Sequence, residues 1–175
     1  MARFDEVKAT FWGDGPHGVQ PPLTDEAVQE AELELGVRLP TSFLDLLQGQ
    51  NGGLVADRWD AFPTDVPTSW SEDHVPLDMM MGIGRHDDQL SLLDSPYLVK
   101  EWGLPSPVVL LSGDGHCWIP LDYRVCGRQG EPSVAWFDAD WKSELTLAAN
   151  FEAFMEGLTS AASFATDGLY ENPPA

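Results

Sequence analysis

Apolar positions recur along this chain in two distinct rhythms, helical in its first third and at its end, strand-like between. Between Pro21 and Gly53 the pattern predicts two short helices joined by a tight turn. Val28, Ala31 and Leu35 recur at i, i+3 and i+7, with Ala27 beside them, so one face is apolar. Thr24 is placed to cap that helix, and Asp25 and Glu26 put acids in its first turn, where the helix dipole favours them. Glu30, Glu32 and Glu34 lie mostly off the apolar face. Gly36 can take the left-handed conformation that closes a helix. Pro40 then stands where a helix tolerates proline, and Phe43, Leu44, Leu46 and Leu47 supply a second apolar face. Gln50-Asn51-Gly52-Gly53 ends it, since Asn and Gly accept positive φ at little cost.

Upstream, Phe4, Val7, Lys8 and Phe11 predict a short first helix over residues 3–12, followed by Trp12 as a core residue. Downstream the period changes. Met79 to Ile83 reads as a short buried strand, and Arg85-His86-Asp87-Asp88 as a polar turn. Ser95 and Pro96 look like the cap and first residue of a helix running to Trp102. Val108–Ser112, Cys117–Tyr123 and Ser133–Asp138 then read as strands of an antiparallel meander. Cys117, Ile119, Leu121 and Tyr123 share one face, Trp118 and Asp122 take the other, and Pro120 implies an edge or a bulge. Apolar residues on both faces imply cover on both sides of the sheet. Phe151, Phe154, Met155 and Leu158, capped by Asn150, form a strongly amphipathic last helix. The expected fold is α+β, a mostly antiparallel sheet with helices packed against it, as one domain over residues 1–160 with a frayed tail at 161–175.

Residues 54–78 break both rhythms. They hold three prolines, two tryptophans, six acids and one arginine with no clean period. A surface excursion with one short strand or turn is expected, and loops beyond roughly 12–15 residues are often functional. Trp59 and Trp70, flanked by Asp57, Asp60, Glu72 and Asp73, read in two ways. They are aromatic anchors in an acidic rim that binds a protein, or they fold back to lid the core.

Charge sharpens the first alternative. The chain has 175 residues, 29 acids against 9 Lys plus Arg, and a formal net charge of -20. Such a field repels nucleic acid and anionic membrane and attracts basic partners; it also serves solubility. The first residues lack the apolar core of a secretory signal and no run approaches the ~18 apolar residues of a membrane span, so a cytoplasmic protein is expected. In that compartment Cys117 and Cys126 are expected reduced, although one bridge between them is the alternative.

Catalytic chemistry has one foothold: Asp114, His116 and Cys117, with Asp122 a strand away, hold the residue types of a nucleophile and base or of a metal site. Alternation along a strand turns His116 and Cys117 to opposite faces, and Asp114 suits a turn whose amides its carboxylate accepts. Asp122 is expected to pair with Arg124. His17, His74 and His86 stand alone, and Met79 to Met81 reads as core rather than a copper site. No phosphate-binding glycine loop, zinc spacing or Gly-x-Ser-x-Gly is present, so no cofactor or metal is expected.

A set of short motifs adds to this reading. Leu23-Thr24, Glu32, Leu35-Gly36, Leu39-Pro40 and Asn51-Gly52-Gly53 in the first half resemble, in that order, the SUKH superfamily of fungal Smi/Knr regulators and bacterial immunity proteins. Glu101-Trp102-Gly103-Leu104-Pro105, Gly113-Asp114-Gly115, Leu121-Asp122-Tyr123, Glu131-Pro132-Ser133-Val134 and Asn150-Phe151-Glu152 with Phe154 extend the resemblance over residues 12–160. It implies a non-enzymatic binding module: an immunity protein that blocks a basic toxin domain, such as a nuclease, or a regulatory adaptor. A hydrolase built on residues 113–122 is the remaining alternative. Asp57, Trp59, Asp60, Trp70, Glu72, Asp73, Asp114 and His116 are the candidate partner-binding residues.

Overall fold

A computed structural model describes residues 2–85 and 88–164. Its elements are α1 (Phe4–Ala9), α2 (Asp25–Leu35), α3 (Thr41–Gly49), β1 (Gly53–Leu54), β2 (Ala61–Pro63), β3 (His74–Pro76), β4 (Met79–Met80), α4 (Ser95–Trp102), β5 (Val108–Gly113), β6 (Cys117–Asp122), β7 (Ser133–Asp138), β8 (Ser143–Ala148) and α5 (Phe151–Gly157). The α+β architecture is as expected. An antiparallel meander in the order β5-β6-β7-β8 carries helices on both faces.

The helix pair forms as its caps dictate. Thr24 Oγ1 accepts the Ala27 N–H at 3.1 Å, and Gly36 closes α2 at φ 70°. The connector is pinned by Glu32, whose carboxylate accepts the Leu39 N–H at 2.8 Å, so this acid is structural rather than solvated. Pro40 precedes α3 as its cap residue instead of occupying its first turn. Ala31, Leu35, Phe43, Leu46 and Leu47 are buried, and Phe43 meets Phe151 of α5 edge to face at 5.2 Å. Each such buried side chain is worth roughly 1.5–3 kcal/mol over leaving it in water. Trp12 is half-buried against this core and bridges to Val55.

Asn51 joins the two halves of the chain. Its side chain donates to the carbonyls of Pro21 (2.7 Å) and Ile83 (2.8 Å) and accepts the Ile83 N–H (2.8 Å). Gly52 follows at φ 91°, and a Cβ there would stand 2.6 Å from Gly82 N and 2.7 Å from Gly18 O. The motif therefore requires glycine both for its backbone conformation and for the close approach of two other strands of chain.

In the sheet, Tyr123 donates its hydroxyl to Arg38 O at 2.7 Å, tying the face it shares with Leu121 to the α2–α3 connector. Trp118, on the opposite face, packs near Trp102 of α4, with ring centroids 6.4 Å apart. Pro120 lies in an interior strand, not at an edge. It faces Leu110 where β5 bulges, and no bridge to β7 forms at Ile119 and Pro120. Ser95 is not the cap of α4: Asp94 precedes the helix, and Ser95 Oγ accepts the Leu110 N–H at the bulge, at 2.9 Å. The strand β8 does not figure among the expected elements.

Residues 54–78 are more ordered than expected. β1 pairs with β4 and β2 with β3, both antiparallel, so the segment doubles back as an arm with its tip at residues 64–73. Met80 and Met81 are core. The fold also runs past the expected boundary: Ala161–Phe164 form a 3-10 turn whose first N–H is accepted by Asp60, and Phe164 stacks on His74. The expected turn at 85–88 lies partly, and the tail beyond 164 wholly, outside the described residues. Among the described residues no helix is long and apolar enough to cross a membrane.

Candidate functional site

The two tryptophans of the arm part company. Trp59 is 7% exposed, and its indole N–H donates to Thr10 Oγ1 at 3.0 Å, with the Arg58 guanidinium over its ring. Of the two alternatives it takes the core, so it is not a surface anchor. Trp70, at the arm's tip, is 49% exposed, and Val66 of the same tip is exposed too. Asp57 is exposed in the 3-10 turn at the base of the arm. Asp60 is half-buried, accepting the Ala161 N–H at 2.8 Å. Glu72 and Asp73 are exposed near Trp70, and Asp73 Oδ1 lies 2.7 Å from His74 Nδ1.

A single buried carboxylate seats the tip on the sheet. Asp138, at the end of β7, accepts the Ser69 hydroxyl on Oδ2 and the N–H groups of Asp140 (2.9 Å) and Trp141 (3.0 Å) on Oδ1. Burial opposes its charge, but those hydrogen bonds and nearby His116 hold it below the usual carboxylate range. The same residue thus shapes the β7–β8 turn and holds the arm.

Antiparallel order brings the β5–β6 turn to the same end of the sheet as the β7–β8 turn. Asp114 Oδ1 accepts the N–H groups of His116 and Cys117, each at 2.8 Å, so it is the turn residue expected of it. Ala139 N donates to His116 O at 2.8 Å, and His116 Nδ1 stands 2.9 Å from Asp140 Oδ2. A cavity of about 160 Å³ opens between arm and sheet, lined by Trp70, Pro76, Asp78, Met79, Asp114 and Cys117 among others. Burial, reinforced by Asp60 and Asp114, pushes the Asp78 carboxyl up from its ordinary value. Trp70 and Asp114 thus meet at one site, with His116 and the exposed acids Glu72 and Asp73 on the segments that build it.

One residue of this end escaped the sequence reading. Trp141 in the β7–β8 turn is 77% exposed, the most exposed large aromatic side chain among the described residues. Its signal was an aromatic among acids, Asp138-Ala139-Asp140-Trp141, the same signature that marked the arm.

The residues of the catalytic alternative take separate partners. Burial, then the Asp114 and Asp138 carboxylates, push the Cys117 thiol up to about 11, so it stays protonated near neutrality. His116 turns to Asp140. Asp122, 7% exposed, accepts from Arg124 Nε at 3.0 Å and Nη2 at 2.9 Å, the pairing expected of it. Both cysteines are free, and among the described residues no group of three His, Cys, Asp or Glu side chains is placed to hold a metal.

Compared with known families, the chain matches the model of the SMI1 / KNR4 family (SUKH-1) over residues 22–157. No curated protein matches it. The matched span begins at the helix pair and ends at α5, so it contains the arm, both turns and Trp141.

Proposed function

Since the chain belongs to the SMI1 / KNR4 family (SUKH-1), we propose that it is a non-enzymatic, cytoplasmic binding module that captures a basic protein through its acidic, tryptophan-bearing end. The partner that fits best is a cognate toxin domain, which the protein neutralises by covering its active site or its nucleic-acid path. One observation carries the reading: Trp70 and Trp141 are exposed on two segments that a single carboxylate, Asp138, holds together. Aromatic anchors within a polar rim are the usual centre of a protein interface. A net charge of -20 speeds encounter with a cationic surface and selects against anionic competitors.

Affinity capture from the native host, with mass spectrometry of what is retained at low salt and released at high salt, tests this. One dominant basic partner whose toxicity the protein suppresses on co-expression is the expected result. Its binding should weaken at least tenfold in Trp70→Ala or Trp141→Ala. A scatter of envelope or metabolic proteins, or a partner held equally at high salt, would transfer the protein to the adaptor class.

A further inference from the structure

Among the described residues, the sheet ends in an edge with no further strand beside it. β8 pairs with β7 alone among the described residues. The opposite margin is different: the segment after β4 backs β5, with Met81 N donating to Leu111 O at 2.7 Å. Exposed edges are normally blunted by proline, inward charge or a covering loop. β8, Ser143-Glu144-Leu145-Thr146-Leu147-Ala148, contains no proline and no lysine. Its one charge, Glu144, is engaged by the Arg124 guanidinium.

Register fixes what the edge presents. Because Ala139 N donates to His116 O, Asp138 turns its peptide groups away from β6 and toward Ser143. Antiparallel alternation then turns the peptide groups of Leu145 inward as well and leaves those of Glu144 and Thr146 directed outward. Ser143, Glu144 and Thr146 are exposed. Beside the start of the strand lies a second cavity, about 310 Å³, lined by Gly103, Leu104, Pro105, Phe137, Lys142 and Glu144 among others. Trp141 stands two residues before the strand.

We propose that β8 receives an extended, basic segment of the partner protein as a fifth strand, with Trp141 and the adjoining cavity gripping side chains at its entry. The inference rests on the protein-binding reading and supplies its mode. Main-chain hydrogen bonds give affinity in such strand addition, and alternate side chains give specificity. Charge selects the occupant. A second copy of this chain brings another -20, which opposes edge-to-edge pairing, whereas a segment rich in lysine or arginine meets the exposed Asp140 in the turn that enters the strand.

The test uses the full chain and a capped synthetic octapeptide of alternating lysine and valine, with a copy carrying a central proline as control. Amide exchange is followed residue by residue at low salt. Slowing of Glu144 and Thr146 exchange by tenfold or more at saturation is expected with the alternating peptide only. Thr146→Lys, whose change lies on an exposed side chain, should abolish that slowing while circular dichroism stays unchanged. Thr146→Pro should act likewise by removing the outward donor. Both peptides binding alike without slowing at β8 would overturn strand addition while leaving a basic partner in place. Slowing that depends on protein concentration, with dimers in sedimentation, would put a second copy on the edge. Protection already present in the free monomer would put the chain's own last residues there. Either result overturns the proposal. Failure of both peptides to bind at low salt would remove the basic-partner reading as well.

Discussion

Asn51 shows how much one side chain can hold. It is 3% exposed, and its amide satisfies a donor and two acceptors from segments some thirty residues away on either side. Removing it leaves the Ile83 N–H and C=O buried without partners, each worth roughly 1–3 kcal/mol. Asn51→Ala is therefore expected to lower unfolding free energy by about 3 kcal/mol or more, read from the urea midpoint at unchanged slope. Asp138 plays the corresponding part at the other end of the molecule, where its two oxygens hold the arm and shape the turn that carries Trp141. Trp59 and Trp70 make the contrast at the same scale. Both are tryptophans in acidic, proline-rich sequence, yet one finds Thr10 and the core while the other is half in water.

At the scale of elements, the end of β6 carries the clearest electrostatic dependence. Burial raises the cost of charging Asp122, but the bidentate Arg124 contact and the Arg124 N–H more than offset it, so its pKa lies below the ordinary carboxylate value. A carboxyl depressed in the folded state stabilises the fold at pH above its unfolded value of about 3.9, and that stability is lost as pH falls through the lower folded value. In Arg124→Gln the compensation goes and the burial stays. Acid unfolding, followed by tryptophan fluorescence, should then begin at a higher pH, and neutral-pH stability should fall by about 2 kcal/mol. An unchanged acid midpoint would mean that the pair is solvated in solution. The arm is an element of a different kind: two short antiparallel pairs, too small to stand alone, made rigid by Ser69 on Asp138 at the tip and by Asp60 on Ala161 at the base.

For the whole molecule the meander decides which turns share an end. Antiparallel order puts the β5–β6 and β7–β8 turns at one end, and the arm delivers Trp70 to the same place. Exposed acids stand on these segments with two tryptophans, and Cys117 lines the same cavity as Trp70. Long-range attraction of this kind acts mainly on association rate. The association rate constant with a captured basic partner, measured by stopped flow, should fall by tenfold or more between about 10 mM and 150 mM salt, as the screening length shrinks from roughly 30 Å to 8 Å. A dissociation rate that changed more than the association rate over that range would place the charge pairs inside the interface rather than around it.

Where signals are local, the chain reads itself correctly. Thr24, Gly36 and Asn150 cap as their chemistry requires, the 3.6-residue stripes of α2, α3 and α5 become buried faces, and Asp114 closes its turn through its own neighbours. The order of family motifs is of the same kind, because it records such local requirements in sequence. β8 was missed because a half-exposed edge strand of six residues, with Leu145 and Leu147 as its aliphatic pair, carries too little alternation to stand out. Ser95 was misread, and Pro120 was legible only as an edge or a bulge, because their roles depend on the bulge in β5, which is set by pairing between strands. Which tryptophan is buried, which acids share a cavity and which strand keeps a free edge are likewise decided by contacts between distant residues. Composition and net charge follow from the sequence alone; the gathering of that charge around Trp70 and Trp141 is the work of the tertiary fold, because only chain closure determines which distant segments lie side by side.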